Sequence, residues 1–206
     1  MRFMGGFWLN ICTFIVSEAY TIDMMAAQAS LISVDTLTSC IGIGFSYTVA
    51  SKLSKLMVLN DIKFVKKLVL VTFTMLFSFG LIIGTLAYIY CDRISALLNN
   101  SLDVQNYLTQ NIKWWAIYTP FFFSKHALSC FYRAIQKHRV YSYYQFFFNY
   151  VVQFVLVIVF MNNGEGSNCI WKAALIQMGS FNVVLIMHMF FLNLNKQHEE
   201  IIKTVG

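Results

Sequence analysis

The stretch Leu68–Tyr90, LVLVTFTMLFSFGLIIGTLAYIY, decides the fold class because it is almost entirely apolar and contains no charged residue. An α-helix needs about 20 apolar residues to cross the hydrocarbon core of a bilayer. The backbone polar groups of a segment in lipid must be satisfied within it, which requires a helix rather than an open strand. The stretch therefore predicts a transmembrane helix.

The composition of the whole chain gives the same result. Of its 206 residues, 58% are hydrophobic and only 12% are charged, and the mean hydropathy is +0.62. A soluble domain is typically about 45–50% apolar and about 25% charged. Soluble enzymes, disordered tails and collagen-like chains are excluded by these values, and an integral membrane protein remains.

Six segments have the length and apolarity of a membrane span, and the spacing between them predicts an all-α, polytopic six-helix bundle. The runs are too continuous for the alternating strands of a membrane barrel. The bundle is expected to occupy residues 1–194, followed by a tail over residues 195–206. The six predicted spans, in order, are Phe3–Ile22, Met25–Ala50, Leu68–Tyr90, Trp114–Tyr132, Tyr141–Met161 and Cys169–Leu194.

The loops between the spans alternate in charge. Five lysines lie between spans two and three against one acid, Asp61, and the loop from Arg133 to Arg139 is basic without an acid. The loop from Asp92 to Lys113 is balanced in charge. Lysine and arginine are retained on the cytoplasmic side of membrane proteins. The pattern predicts that both termini are cytoplasmic, and it explains the net charge of +6 without a nucleic-acid partner.

Asp35 is the most informative ionisable residue because it lies near the middle of span two. A charged side chain at this depth is costly and is expected to face a polar cavity or a partner. One interpretation is a carboxylate that binds a proton or a cation. The other is a structural acid, hydrogen-bonded to a neighbouring hydroxyl group of Ser33, Thr36, Thr38 or Ser39.

Span four contains Lys125 and His126 beyond Pro120. These residues indicate either a kinked helix that faces a polar cavity or a helix that starts or ends near them. Span two is rich in small residues, which predicts a helix that is central in the bundle or lines a cavity. The small residues are Ala26, Ala27, Ala29, Ser30, Ser33, Gly42, Gly44, Ser46 and Ala50.

The sequence supports no catalytic or cofactor site. The five cysteines fall singly, and no Cys/His cluster has metal-ligand spacing, so disulfide, zinc and redox chemistry lack support. No nucleotide-binding or nucleophile motif is present. We therefore expect no metal, no cofactor and no enzymatic activity, and we expect buried, reduced thiols.

Three motifs resemble a transporter family. Met25-Ala-Ala-Gln-Ala29 and Gly42-Ile-Gly-Phe-Ser-Tyr-Thr-Val-Ala-Ser51 are similar to the second helix of a half-unit of the multidrug and toxic compound extrusion (MATE) transporters. Cys130-Phe-Tyr-Arg133 resembles the exit of that family's fourth helix. These motifs are most similar to those in the C-terminal half of the family's transporters. The resemblance covers most of the chain, with the motifs in the same order.

The resemblance implies one six-helix lobe of a twelve-helix transporter that exports organic cations or other amphipathic compounds in exchange for protons or sodium. It implies the lipid bilayer, the cargo, the coupling ion and a second lobe, from the same or another chain, as partners. The candidate binding residues are Gln28, Ser33, Asp35, Lys125 and His126. The candidate structural motif residues are Gly42, Gly44, Ser46 and Arg133.

The sequence departs from the family at several positions. The first span has no acid around Gly6–Asn10. The acid of the second helix, where the family has one, falls near Ser33, two residues from Asp35, so Asp35 is at best a substitute for it. The glycines of the helix-four exit and most prolines are missing. These departures favour an alternative, a degenerate lobe that does not transport and serves as a structural subunit of a membrane assembly.

Overall fold

The computed structural model describes residues 11–14, 16, 17, 20–59, 61–192, 194 and 199. Within this part of the chain the elements are helical, and no strand is present, as the apolar spans predict. The helices are α1 (Ile22–Val58), α2 (Ile62–Ile89), α3 (Cys91–Leu98), α4 (Leu102–Ala134), α5 (His138–Phe147), α6 (Phe154–Asn162) and α7 (Cys169–Phe191).

Four helical segments are long and apolar enough to cross a membrane: Ile22–Val58, Ile62–Ile89, His138–Asn162 and Cys169–Phe191. They correspond to predicted spans two, three, five and six. The observed helices extend beyond the predicted bounds at the ends of α1 and at the start of α2, because hydropathy marks the apolar part of a helix and its caps lie further out. The protein is an all-α integral membrane protein.

The predicted end of span one is wrong. Ile22 is the first residue of α1, and the Thr21 hydroxyl accepts a hydrogen bond from the Met24 amide as the N-cap of that helix. A threonine in this position satisfies an amide that has no partner within the helix. The rest of span one lies largely outside the described residues.

Span four is a single helix, α4, and it occupies the centre of the bundle. Most of its residues from Trp115 to Ala134 are buried, and it packs against α1, α2 and α7. Span two, α1, was expected to be central or to line a cavity. One side of it packs against α4, and the other side is exposed along most of its length. Its small residues lie on both sides, for example Ala27 and Gly42 on the buried side and Ala29 and Gly44 on the exposed side.

Helix α2 packs directly on the backbone of α4 through two glycines. A β-carbon added to Gly84 would lie 2.3 Å from the Ala116 carbonyl oxygen, and one added to Gly80 would lie 2.8 Å from the Pro120 Cα. Pro120 has no N–H to donate to the Ala116 carbonyl, four residues earlier. The two glycines of α2 thus pack on the turn of α4 between Ala116 and Pro120, where the proline removes one backbone hydrogen bond.

Span five is continuous from His138 to Asn162 but contains a π-helical turn over Phe148–Gln153 between α5 and α6. The Asn149 Oδ1 atom, in this turn, accepts a hydrogen bond of 3.1 Å from Gln177 Nε2 of α7. An extra residue in a helical turn is commonly found at functional positions. Here it brings the Asn149 amide to α7.

Four of the five cysteines are buried, as expected, but Cys40 is exposed, so the expectation of buried thiols was wrong there. In the described part of the chain, no group of three or more His, Cys, Asp and Glu residues could hold a metal ion. The short helix α3 lies within the predicted connection between spans three and four. Its eight residues are too few for a membrane span, so hydropathy did not indicate it.

Candidate functional site

A polar cluster joins α1, α4 and α7 in the interior of the bundle. We call Gln28, Asp35, Trp115, Tyr118 and Trp171 the tryptophan cluster. All five side chains are at least nine-tenths buried, and Gln28 and Trp171 are fully buried. Gln28 and Asp35 lie two helical turns apart on the buried side of α1, which places both amide and carboxylate toward the other helices.

Asp35 accepts a hydrogen bond from a side chain of the central helix α4. The Trp115 Nε1 atom of α4 donates a hydrogen bond of 2.8 Å to Asp35 Oδ1, and Asp35 is only 6% exposed. The hydroxyls that we expected as structural partners bond to carbonyls of their own helix instead, for example Thr36 to Ile32 and Thr38 to Val34. That part of the structural interpretation was wrong, because a hydroxyl in a helix reaches the carbonyl one turn earlier more easily.

Gln28 is held in the same way from α7. Trp171 Nε1 donates a hydrogen bond of 2.8 Å to Gln28 Oε1. The Tyr118 ring meets the Trp171 ring edge-on, with 5.9 Å between the ring centroids. Tyr118 follows Trp115 by about one turn on α4, so it joins the two tryptophan hydrogen bonds into one cluster.

Lys125 and His126 lie in the interior of α4, so the interpretation that the helix starts or ends near them was wrong. The Lys125 Nζ atom lies 4.7 Å from the centroid of the Phe122 ring, and its charge interacts with that of Asp35. A cation over an aromatic face is stabilised by the ring quadrupole. Lys125 thus provides a positive charge that attracts the Asp35 carboxylate, although the two side chains do not form a direct ion pair.

His126 contacts the glycine motif of α1. Its Cδ2 atom would lie 2.5 Å from a β-carbon on Gly42, and its ring meets Phe122 edge-on at 5.1 Å. The histidine is 6% exposed, and its Nε2 atom has no hydrogen-bond partner among the described residues. Gly42 is therefore a glycine because the imidazole occupies the space of its side chain.

The remaining predicted residues divide between the interior and the surface. The Ser33 hydroxyl is on the exposed side of α1, where it donates to the Ala29 carbonyl at 3.0 Å, so it does not join Asp35. Gly44 is exposed, and no described atom outside its own turn lies within 4 Å of its β position. Ser46 is fully buried, and Arg133 lies over the Tyr47 ring, with its Cζ atom 4.5 Å from the ring centroid.

Sequence reasoning missed Trp115, Tyr118 and Trp171. A buried indole needs an acceptor for its N–H, and this requirement could have pointed to Asp35 and Gln28 as acceptors within the membrane. The sequence does not show which acceptor each indole meets, since the partners are 80 and 143 residues apart.

The chemistry of this site is that of one carboxylate with a hydrogen-bond donor and a nearby cation. Hard metal cations in proteins are held by several oxygen ligands, whereas the group bonded to Asp35 is an indole N–H and the charge that acts on it is that of the Lys125 ammonium. A proton needs only the carboxylate itself. The geometry thus supports protonation of Asp35 better than coordination of a metal ion.

Comparison with known families adds an independent finding. The family model described as MatE matches residues 2–159 of the chain. No curated protein matches the sequence.

Proposed function

The chain belongs to the MATE family, whose members are transporters rather than enzymes, and we propose that it is a transporter lobe that exports organic cations in exchange for protons. The observation that carries the proposal is the buried Asp35 carboxylate, bonded to Trp115 of the central helix. Coupling by protons rather than sodium is supported by the donors around this carboxylate.

Protonation of Asp35 changes the contact between α1 and α4. An ionised carboxylate accepts a stronger hydrogen bond than a neutral one, so proton binding weakens the bond from Trp115. It also removes the attraction between Asp35 and Lys125. Both changes loosen α1 from the central helix, which links the proton to movement of the lobe.

The same cluster has the chemistry that an organic cation requires. Ionised Asp35 supplies a negative charge, and the rings of Trp115, Tyr118 and Trp171 supply aromatic faces that attract cations. A proton and an organic cation then compete for one carboxylate. Such competition produces exchange, because binding of either one favours release of the other.

We further propose that a second six-helix lobe, of the same or another chain, packs against the exposed side of α1. The residues Ala29, Ser33, Cys40 and Gly44 are exposed there. Small residues allow helices to approach closely in lipid. The lipid bilayer surrounds the rest of the bundle.

The test is export of the cationic dye ethidium from proteoliposomes that contain the chain. An acidic exterior should drive efflux, and an inward sodium gradient at equal pH should not. Asp35→Asn should abolish the response to pH, while the protein still inserts and folds. Asp23→Asn, in the first turn of the same helix, is the matched control and should leave efflux unchanged.

Two results would contradict the proposal. Efflux with an unchanged pH profile in Asp35→Asn would remove the coupling role of that residue. No efflux from the wild-type chain with any candidate second lobe, together with stable assembly, would favour the alternative of a structural subunit. That alternative draws support from the absence of an acid around Gly6–Asn10.

The orientation of the lobe follows from the charge of its loops. We propose that both termini are cytoplasmic and that the segment around Asp92–Lys113 lies at the external end of the bundle. Single cysteines placed between Val58 and Ile62, in the connection between α1 and α2, should react with a membrane-impermeant maleimide only after the membrane is opened. Labelling of that loop in sealed cells would reverse the orientation.

A further inference from the structure

A separate groove lies between α1, α2, α3 and α4, at the end of the bundle where α2 meets α3. Its volume is about 440 Å³, which is within the range of about 300–1,000 Å³ of small-molecule pockets. Most of its lining is aliphatic, from Leu31, Val34, Ile83, Ala87, Ile94 and Ile112. It is distinct from the tryptophan cluster and touches it only at Trp115.

The lining excludes a charged occupant. None of the described residues that line the groove is charged, and the Thr38 hydroxyl donates to the Val34 carbonyl at 2.8 Å. The Trp115 N–H is bonded to Asp35 and so presents the groove with an aromatic surface alone. An occupant gains free energy here mainly by burying hydrocarbon, since Tyr90 and Thr38 are the only hydroxyl residues among the described lining residues.

The length of the groove matches its position in the membrane. Along α2 the lining extends from Tyr90, at the end of the helix, to Ile83, which at the rise of an α-helix is about 10 Å. It therefore runs from the end of a spanning helix toward the middle of the bilayer. This is the direction and depth of a lipid acyl chain.

An arginine lies at the mouth of the groove, next to Asp92 in the sequence. Arg93 of α3 is exposed, and its Cζ atom lies 5.9 Å from the centroid of the Tyr90 ring, which lines the groove. Tyrosine is enriched at the level of lipid headgroups, and an arginine guanidinium binds phosphate with two parallel hydrogen bonds. A phosphate group above an apolar groove is the chemistry of a phospholipid.

We propose that this groove binds one acyl chain of a membrane glycerophospholipid whose phosphate pairs with Arg93. The end of the acyl chain contacts the Trp115 indole, which donates to Asp35, so lipid occupancy supports the central helix at that contact. The proposal does not depend on transport, and its test measures binding alone.

The experiment uses vesicles of phosphatidylcholine with a trace of phosphatidylcholine that carries a photoreactive diazirine on one acyl chain. After illumination, adducts mapped by mass spectrometry should be several-fold more abundant on the groove residues of α2 and α3 than on Leu81, which faces lipid on α2. Ala87→Phe fills the groove and should lower the groove adducts several-fold. Leu81→Phe is the matched control and should leave them unchanged.

Arg93→Gln changes an exposed side chain and tests the phosphate independently of packing. It should lower the groove adducts of the phospholipid but not those of a diazirine fatty alcohol, which has no phosphate. Arg139→Gln, also exposed, is its control. Equal labelling of Leu81 and the groove, an unchanged yield in Arg93→Gln, or displacement of the lipid by ethidium would each overturn the proposal.

Discussion

The central helix α4 is held from two sides by different kinds of contact. On the α2 side, Gly80 and Gly84 bring two backbones together at the Pro120 turn, and the Phe79 ring meets the Phe123 ring edge-on beside them. On the α1 side, the contacts are made by side chains, among them Asp35, Trp115 and His126. The first contact depends on shape alone, and the second depends on charge and hydrogen bonding.

The two sides of α4 therefore have different roles: the α2 side supports the fold, and the α1 side contains groups that can change their charge. A contact between backbones cannot respond to pH or to a ligand, because it contains no group that changes its charge. The α1 side holds a carboxylate, a lysine and a histidine in the bundle interior. Because such groups are costly in a membrane, their presence there indicates a functional position. We therefore expect α2 and α4 to move as a unit and α1 to move against them.

The largest effect is expected from Gly84→Ala on the α2 side. The new β-carbon would meet the Ala116 carbonyl at 2.3 Å, and a backbone atom in a packed helix pair cannot move aside. Overpacking of this kind costs about 1–3 kcal/mol, and we expect the upper end. Unfolding by SDS titration measures the change.

Gly179→Ala in α7 is the control for Gly84→Ala, because no described atom outside its own turn lies within 4 Å of its β position. It should be neutral or slightly stabilising, since alanine has the better helix propensity. If both alanine variants were equally stable, α2 would not rest on the α4 backbone and the comparison of the two sides would fail.

The second effect is expected from Trp115→Phe on the α1 side, which leaves buried Asp35 without its hydrogen-bond donor. Hydrogen bonds to charged groups contribute about 1.5–3 kcal/mol, so a loss of about 2 kcal/mol in the free energy of unfolding is expected. Asp35→Asn should recover part of that loss in the double variant, since a neutral amide is less costly when left alone.

A double-mutant cycle checks this pair. Asp35→Asn should recover stability in Trp115→Phe but not in Trp171→Phe, because Trp171 donates to Gln28 instead. Equal recovery in both backgrounds would mean that the two tryptophan bonds are not specific to their acceptors.

A smaller effect is expected from Gly42→Ala. The added methyl group meets the His126 ring at 2.5 Å, but a side-chain ring can rotate where a backbone carbonyl cannot. We expect a loss of about 1 kcal/mol, at the low end of overpacking costs. Gly44→Ala, two residues away on the exposed side, should have no effect on SDS unfolding, and His126→Ala should restore the stability of Gly42→Ala.

The smallest effect is expected from Tyr47→Leu, which removes the ring beneath Arg133. A cation–π contact at a partly exposed site contributes about 0.5–1 kcal/mol. Tyr88→Leu, on the exposed surface of α2, is the matched control. A larger loss in Tyr88→Leu than in Tyr47→Leu would indicate that Arg133 does not link α1 to α4.

The sequence by itself determined the class of the protein and the positions of most of its helices. An apolar run such as Leu68–Tyr90 predicts a helix because lipid leaves no other way to satisfy the backbone. The sequence also indicated Asp35, because an acid within an apolar run costs free energy wherever its partner lies. The MATE resemblance, read from short motifs in α1 and at the end of α4, is confirmed by the family match.

The tertiary structure decided which helix is central and which groups meet. Hydropathy reports what faces lipid, so it predicted only the Trp114–Tyr132 part of α4 (Leu102–Ala134). The polar and charged residues of α4 are tolerated because other helices surround them. The G-x-x-x-G pattern of Gly80 and Gly84 was visible in the sequence and could have indicated a close contact, but not its position at Pro120. Trp115 and Asp35 are 80 residues apart, and only the packing of α1 on α4 brings them together.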